Sequence, residues 1–221
     1  MKSVVVFSGG IDSTTLLFKL KNEGHEIYTI TFSYGQKHSR ELESAKKIAS
    51  ILKFDHKIVD ISSLQSLLDS ALTNPNIAIP KVPVGAQFYE TLKTTVVPNR
   101  NAIFLSIAAG YAQSIGANNV FYAAHYSDRG IYPDCRQEFI EAFEKMSRIS
   151  LENNSLSVQS PFVNMNKSDI VRLGSELGIP YELTWSCYSG DTKHCGTCSA
   201  CRERKRAFFE AGIKDPTVYR E

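Results

Sequence analysis

Short apolar runs alternate along the chain with longer segments of helical period, and this alternation constrains the fold more than any other feature. The runs are rich in Val, Ile, Tyr and Phe without strict polar alternation, which is typical of strands buried on both faces of a parallel sheet. They occupy residues 3–7, 26–32, 56–61, 118–123 and 157–163. The intervening segments predict helices that cover both faces of the sheet. We therefore expect an α/β fold with a parallel sheet.

Capping residues indicate where two of the predicted helices begin or end. Asn101 is expected to cap a helix with apolar residues across 103–112. Asn166, followed three residues later by Asp169, resembles a capping box, and the helix it starts should end at Gly178 and Pro180. Residues 73–98 and 126–134 escape the regular pattern, and loops of that length are usually lids or binding loops.

The first strand runs directly into Ser8-Gly9-Gly10-Ile11-Asp12-Ser13, which a helix follows. A tight glycine turn at a helix N-terminus directs several backbone N–H groups toward one point, and such a point attracts phosphate. A bare phosphate would repel Asp12, so its carboxylate is expected either to cap the helix or to act with Mg²⁺ bound to phosphates. A capped turn without a ligand uses the same residue types and remains the alternative. The chain contains neither G-x-x-x-x-G-K-[ST] nor G-x-G-x-x-G.

Polar residues also follow the later strands, where ligands of parallel sheets bind. Arg100 closes the long loop just before a helix. An Asp of residues 125–129 or 132–136 could accept two N–H bonds from the amidine edge of a guanine-like ring, and a Tyr or Arg there could stack on that ring. Lys167 lies at the unfavourable end of a helix dipole unless an anion binds there, which makes it a candidate phosphate ligand. Residues 125–129 and 132–136 would serve equally well as caps and turns.

Four of the five cysteines lie within fifteen residues, at Cys187, Cys195, Cys198 and Cys201. Gaps of seven, two and two residues allow four thiolates to close a tetrahedral structural zinc site. An iron–sulfur cluster is the alternative, although no Cys-Pro ends the run, and His194 could replace one cysteine. Cys135 stands apart and is predicted to be a loop thiol rather than a nucleophile.

The length of 221 residues predicts one domain with a small appendage, which we divide into residues 1–180 and 181–221. No apolar stretch approaches ~18 residues, and the N-terminus lacks a signal-peptide pattern, so we expect a cytoplasmic protein with reduced thiols and no membrane contact. The net charge of +2 leaves little room for a broad nucleic-acid surface. The basic run at residues 202–206 is interpreted as the solvated face of a helix.

Residues 8–13 resemble the SGGxDS signature of the PP-loop ATP pyrophosphatases, which bind ATP and attach AMP to an oxygen of the substrate. Together with residues 97–101, 132–136 and 184–188 and the four-cysteine tail, they make the whole chain similar to the 7-cyano-7-deazaguanine synthases of the queuosine pathway. The resemblance implies five parallel strands and an ATP-dependent ligase that converts 7-carboxy-7-deazaguanine and ammonia to the nitrile through adenylated carboxylate and amide intermediates. It also implies ATP with Mg²⁺, one structural zinc per chain and a homodimer.

By this resemblance, Lys167 and the loop bind ATP, Asp12 acts with Mg²⁺, and Arg100 stabilises phosphate charge or binds the substrate carboxylate, while Tyr132 and Asp134 hold the ring. The expected loop residues are Phe7, Ser8, Gly9, Gly10, Ile11, Asp12, Ser13, Thr14, Thr15, Leu16 and Leu17. Two alternatives remain open, namely a PP-loop enzyme that modifies tRNA directly and a non-catalytic nucleotide-binding zinc module. No glutaminase motif is visible in this chain, so the source of ammonia is left open.

Overall fold

Five parallel strands form one sheet in the computed structural model, which describes residues 1–37, 40–80, 92–189 and 192–220. The strands are β1 (Lys2–Val6), β2 (Glu26–Ser33), β3 (Asp55–Asp60), β4 (Asn119–Phe121) and β5 (Ser157–Gln159). Their spatial order is β3-β2-β1-β4-β5, and every neighbouring pair is parallel. The predicted fold class is confirmed. Residues 81–91 of the predicted long loop lie outside the described residues.

Helices connect the strands and follow the last one. They are α1 (Ile11–Asn22), α2 (Arg40–Leu52), α3 (Arg100–Ser114), α4 (Gln137–Ser150), α5 (Lys167–Glu176) and α6 (Ser199–Ala211). In the described part of the chain, no helix is both long enough and apolar enough to cross a membrane.

The central strand shows how the helices divide between the two faces of the sheet. Val4 and Val5 are both fully buried, and successive side chains of a strand point to opposite faces. Val4 belongs to a core cluster with Leu105 of α3 and Phe143 of α4. Val5 belongs to a second cluster that includes residues of α1, α2, α5 and α6. Helices therefore cover both faces, as the apolar strands predict.

The C-terminal helix α6 is part of the second cluster. Its residues Ala207 and Phe208 are buried in that cluster, and the helix packs against α5. Arg204 has no exposed surface; its Nε lies 3.2 Å from Asp215 Oδ1, and its Nη2 donates to the carbonyl oxygen of Tyr181 at 3.0 Å. The interpretation of residues 202–206 as a solvated face is therefore wrong for Arg204, because that side chain packs inward. The proposed boundary at residue 180 remains a prediction.

The structure confirms the predicted N-terminal cap of α5 but not that of α3. The capping box of Asn166 and Asp169 is present, and Gly178 follows α5 with a φ of 67°. The expected cap at Asn101 is wrong, because α3 begins at Arg100 and the N-cap residue is Asn99. The N–H group of Asn101 instead donates to Asp134 Oδ2 at 3.0 Å. The carboxylate of Asp134, which is distant in sequence, thus accepts a hydrogen bond from an N–H group that has no partner within the first turn of α3.

Candidate active site

A cavity of about 240 Å³ opens where β1, β2 and β4 end. Its lining includes residues 6–8 after β1, Phe32 and Tyr34 at the end of β2, and residues 122–125 after β4. Side chains from the N-termini of α1, α3 and α5 and from α6 complete the wall. Ligands of parallel α/β sheets bind at this edge, so the cavity is the candidate active site.

The glycine turn after β1 forms the floor of the cavity. Gly9 has a φ of 82°, and a Cβ atom there would lie 2.6 Å from the backbone nitrogen of Ala45 and 2.8 Å from the carbonyl oxygen of Glu41. Only glycine fits this conformation and this close approach to α2. The carbonyl oxygen of Gly9 accepts hydrogen bonds from Ser44 Oγ at 2.9 Å and from the N–H group of Trp185 at 3.0 Å. The turn is therefore held between α2 and the C-terminal segment.

Hydroxyl groups order the turn from within. The N–H group of Ser8 donates to Ser13 Oγ at 3.3 Å, and the N–H group of Gly10 donates to Ser8 Oγ at 3.3 Å. The cavity is lined by Phe7, Ser8, Gly10, Ile11, Asp12 and Ser13. The other predicted loop residues, Gly9 and Thr14 to Leu17, are not among the lining residues, and Leu16 and Leu17 pack in the core beneath the loop.

Asp12 and Lys167 meet in the cavity although they come from different helices. Lys167 Nζ lies 3.2 Å from Asp12 Oδ2 and 2.8 Å from Glu203 Oε2. Burial alone would raise the pKa of Asp12, but Lys167 and His125 outweigh it and the pKa is lowered. Burial alone would lower the pKa of Lys167, but Asp12 and Glu203 raise it. Asp12 and Lys167 are therefore both ionised, so the lysine can compensate the negative charge of a bound phosphate.

One oxygen of this pair has no protein partner. Asp12 Oδ1 is buried and accepts no hydrogen bond from the residues that the structure describes. A carboxylate oxygen left in this state suits a hard divalent cation such as Mg²⁺. The residues present therefore fit a phosphate-bound Mg²⁺ ion.

His125 and Asp128 extend the charged wall. The His125 side chain is only 2% exposed, and its Nε2 lies 3.3 Å from Asp128 Oδ2 and 3.7 Å from Asp12 Oδ2. Burial raises the pKa of Asp128 to about 6, although His125 partly opposes the shift. His125, Asp128 and Glu203 each place a ligand atom within 4.8 Å of the other two. The wall therefore offers a compact set of hydrogen-bond acceptors.

The other end of the cavity is aromatic and carries Arg100. The guanidinium carbon lies 5.9 Å from the ring centroid of Tyr34, and Tyr132 and Tyr188 also line this end. Burial would lower the pKa of Arg100, but the nearby tyrosines and Asp134 raise it, so the guanidinium stays charged. Aromatic walls around one fixed charge suit a flat heterocycle with a carboxylate.

Asp134, expected to hold the ring, lies beside this end and is not among the residues lining the cavity. One of its oxygens accepts the N–H group of Asn101, as described above. Its role in substrate binding remains a prediction.

The four clustered cysteines converge next to the cavity. Their Sγ atoms lie within 4.8 Å of one another, and Cys187 itself lines the cavity. The N–H groups of Ser189 and Cys195 donate to Cys187 Sγ at 3.3 and 3.2 Å. The N–H group of Cys198 donates to Cys195 Sγ at 3.3 Å. N–H donors of this kind stabilise thiolates, so the four side chains fit a closed tetrahedral metal site.

Neither His194 nor Cys135 belongs to this group. His194 Nε2 accepts the N–H group of Ser186 at 3.2 Å, so the alternative in which it replaces a cysteine finds no support. Cys135 is buried, burial raises the pKa of its thiol, and its Sγ accepts a hydrogen bond from Asn101 Nδ2 at 3.4 Å. A protonated thiol is a poor nucleophile.

The comparison with known proteins decides the family. The model of the family "Queuosine biosynthesis protein QueC" matches residues 2–212. This chain belongs to the QueC family. It is 52% identical over 219 residues to 7-cyano-7-deazaguanine synthase of Caldicellulosiruptor saccharolyticus, with 99% of this chain and 96% of the relative covered. It is 50% identical to the synthase of Archaeoglobus fulgidus, with 99% and 90% covered. The expected enzyme family of queuosine biosynthesis is confirmed.

Solved structures share the fold of this QueC family member. A 4-thiouridine synthetase in complex with RNA and bound ATP gives a TM-score of 0.54 at 20% identity, with 96% of this chain and 50% of that chain covered. A predicted subunit of tRNA methyltransferase from Methanocaldococcus jannaschii gives 0.53 at 20% identity, with 100% and 93% covered. Identities this low show the fold alone.

The sequence did not reveal every residue that faces the cavity of this QueC family member. Glu203 lines the cavity, and its only signal in the sequence is that it interrupts a basic run. Glu41 also lines the cavity, and burial raises the pKa of its carboxyl group. Its position in an ordinary amphipathic helix carried no signal. Tyr188 and Trp185 also line the cavity. They belong to the segment that leads to the cysteines, and nothing in that segment indicates that it faces the cavity.

Proposed function

We propose that this protein makes 7-cyano-7-deazaguanine from 7-carboxy-7-deazaguanine, ammonia and ATP. The observation that carries the proposal is the 52% identity, across 99% of the chain, to a protein named 7-cyano-7-deazaguanine synthase. The cavity supports it, because an ionised Asp12–Lys167 pair beside a glycine turn suits phosphates, and the aromatic end with Arg100 suits a flat acid.

The reaction removes both oxygens of a carboxylate, and each must first become part of a leaving group. In the first half, a carboxylate oxygen attacks the α-phosphorus of ATP, pyrophosphate leaves, and ammonia then displaces AMP to give the amide. In the second half, the amide oxygen is adenylated in the same way, and loss of AMP and of both N–H protons gives the nitrile. No protein nucleophile is needed, so the site contributes positioning and charge stabilisation.

The proposed roles follow the two ends of the cavity. Lys167 and the turn at residues 7–13 bind the phosphates, where Lys167 offsets the charge of the leaving pyrophosphate. Arg100 binds the substrate carboxylate, and Tyr132 stacks on the ring. The positive charge that Arg100 keeps beside Tyr34 supports its role in binding the carboxylate. Asp134 contributes indirectly, by holding the first turn of α3 on which Arg100 lies.

Two metal ions complete the proposal. Mg²⁺ would be held by Asp12 together with the phosphates and would neutralise phosphate charge. Zn²⁺ would be held by Cys187, Cys195, Cys198 and Cys201 and would be structural, since four thiolates leave no open position. Metal analysis that found iron and sulfide in place of zinc would contradict the second assignment.

We further propose a homodimer in the cytoplasm that acts on small molecules and not on nucleic acid. The dimer rests on the family resemblance and is tested by the sedimentation mass at micromolar concentration. The location is supported by the four cysteines, because thiolate metal sites suit a reducing compartment. The small-molecule assignment is supported by the formal net charge of +2, which provides no strong attraction for RNA.

The test is incubation with ATP, Mg²⁺, ammonium and 7-carboxy-7-deazaguanine, followed by mass spectrometry of the base. We expect nitrile and AMP from the wild-type protein, and a rate at least about 100-fold lower from Asp12→Asn, because an ionised group of the phosphate site is lost. Asp69→Asn is the matched control, since Asp69 is exposed and its Oδ1 only accepts from Asn74 Nδ2. AMP release that requires tRNA and yields no nitrile would favour direct tRNA modification. ATP binding without nitrile or AMP release under any of these conditions would favour a non-catalytic nucleotide site, and full activity of Asp12→Asn would refute the role of Asp12.

A further inference from the structure

Two carboxylates in the cavity wall, Asp128 and Glu203, have no role in the reaction described above. They come from distant parts of the chain, the turn after β4 and helix α6, yet each places an oxygen within 4.8 Å of the other. His125 lies between Asp128 and Asp12, and its side chain is 2% exposed. Its Nδ1 is buried without a hydrogen-bond partner among the described residues. The wall is therefore a buried polar surface that is only partly satisfied by protein groups.

The charges of this wall favour a ligand that carries N–H donors. Asp12, Asp128 and Glu203 are three carboxylates, whereas Lys167 is the one Lys or Arg side chain that forms ion pairs with them in the described structure. Lys167 already shows that a nitrogen with several N–H bonds fits between Asp12 and Glu203. A carboxylate can accept more than one hydrogen bond, so Asp128 and Glu203 can each accept further hydrogen bonds from a ligand.

Asp128 is also suited to receive a proton. The charged groups that face it are His125 from its own segment, Asp12 from α1, Lys167 from α5 and Glu203 from α6. Burial, together with Glu203 and Asp12, raises the pKa of Asp128 to about 6, against the opposing effect of His125 and Lys167. Asp128 is thus a stronger base than an ordinary carboxylate but is still ionised at neutral pH.

A second cavity adjoins this wall. It has a volume of about 320 Å³ and shares Lys167 and Glu203 with the active-site cavity. Its remaining lining is mostly polar and comprises Ser127, Asn166, Ser168, Arg206, Ala207 and Glu210. A molecule of the size of ammonia in this second cavity would therefore also lie beside Glu203.

We propose that Asp128 and Glu203 form the subsite that binds ammonia, and that Asp128 takes up the proton released when ammonia becomes the amide nitrogen. In this step the nitrogen lone pair forms the C–N bond, the bond from the acyl carbon to the AMP oxygen breaks with its electron pair on AMP, and one N–H proton passes to the Asp128 carboxylate. His125 is a positioning residue that holds Asp128. The inference rests on the proposed function and adds to it the place and orientation of the nitrogen substrate.

The test separates adenylation from amidation in the full-length protein. Exchange of labelled pyrophosphate into ATP, measured with 7-carboxy-7-deazaguanine and without ammonium, reports adenylation alone. The Michaelis constant for ammonium, measured from AMP release, reports the nitrogen subsite. In Asp128→Asn we expect the constant for ammonium to rise about tenfold or more, as for loss of a hydrogen bond to a charged group, while exchange stays within about twofold of wild type. Glu203→Gln should likewise raise the constant for ammonium, which keeps the test usable if one variant does not fold, but only Asp128→Asn is compared by exchange, because Glu203 also pairs with Lys167 of the proposed phosphate site.

The matched control is Asp69→Asn, which makes the same chemical change at an exposed position and should alter neither quantity. An unchanged constant for ammonium in both variants would overturn the subsite. A parallel loss of exchange in Asp128→Asn, or a higher Mg²⁺ requirement for its exchange, would overturn it as well, because Asp128 would then act on the nucleotide or its metal. Absence of exchange in the wild-type protein would instead refute the proposed function, so the two failures are distinguishable.

Discussion

Gly9→Ala is the substitution whose effect the structure defines most sharply. Gly9 has a φ of 82°, which an L-residue adopts at a cost of about 1–2 kcal/mol. The new Cβ would also lie 2.6 Å from the nitrogen of Ala45 and 2.8 Å from the oxygen of Glu41. Both are backbone atoms of α2, so no flexible side chain can move aside.

The size of the second effect follows from these distances. Ordinary contact begins at 3.4 Å, so α2 and the turn would have to separate by about 0.8 Å. Forcing extra atoms into a packed interior costs about 1–3 kcal/mol. We therefore expect Gly9→Ala to lower the free energy of unfolding by about 2–5 kcal/mol. It should also raise the Michaelis constant for ATP, because the displaced turn forms the floor of the phosphate site.

Gly116→Ala separates the two contributions. Gly116 also has a positive φ, 66°, but a Cβ there would meet nothing within 4 Å. Urea denaturation of both variants should show a loss of only about 1–2 kcal/mol for Gly116→Ala. Equal losses in the two variants, or an unchanged Michaelis constant for ATP in Gly9→Ala, would refute the reasoning.

Three further predictions concern single side chains. Arg204→Met should lower the free energy of unfolding by about 3–5 kcal/mol in urea denaturation, because it leaves the partly buried carboxylate of Asp215 without its cation, whereas exposed Arg206→Met should lower it by less than about 0.5 kcal/mol. Elemental analysis should find no bound metal in Cys201→Ser. Cys135→Ser should retain the metal, and its turnover rate should stay within about threefold of wild type, because the buried thiol of Cys135 is protonated and takes no part in the reaction. Lys167→Ala should lower kcat/KM for ATP by at least about 100-fold, since it removes the cation of the phosphate site; a loss below about fivefold would contradict that role.

Local patterns were sufficient to predict the sheet and the glycine turn at the N-terminus of α1. The strands and the capping box at Asn166 depend on residues close in sequence, so the sequence carries them directly, whereas the close approach of Gly9 to Glu41 and Ala45 of α2 depends on the tertiary fold. β4 and β5 end earlier than predicted, at Phe121 and Gln159, because the apolar residues that follow them line the cavity or the core outside the ladder.

The charged wall of the cavity could not be predicted in the same way. Asp128 and Glu203 meet only because β4 and α6 bring distant segments to one edge of the sheet. The same dependence on tertiary contacts explains Arg204, which the basic run placed in solvent but the structure buries against Asp215. It also explains Asp134, whose hydrogen bond to the first turn of α3 has no local signature.

The most direct test of the central claim follows the two oxygens of the substrate carboxylate. The substrate, labelled with ¹⁸O at both positions, is converted with ammonium and excess ATP, and the nucleotide products are analysed by mass spectrometry. The account predicts two AMP molecules per nitrile, each carrying one heavy oxygen, because both oxygens leave on AMP. Unlabelled AMP, or ADP and labelled phosphate in its place, would contradict it.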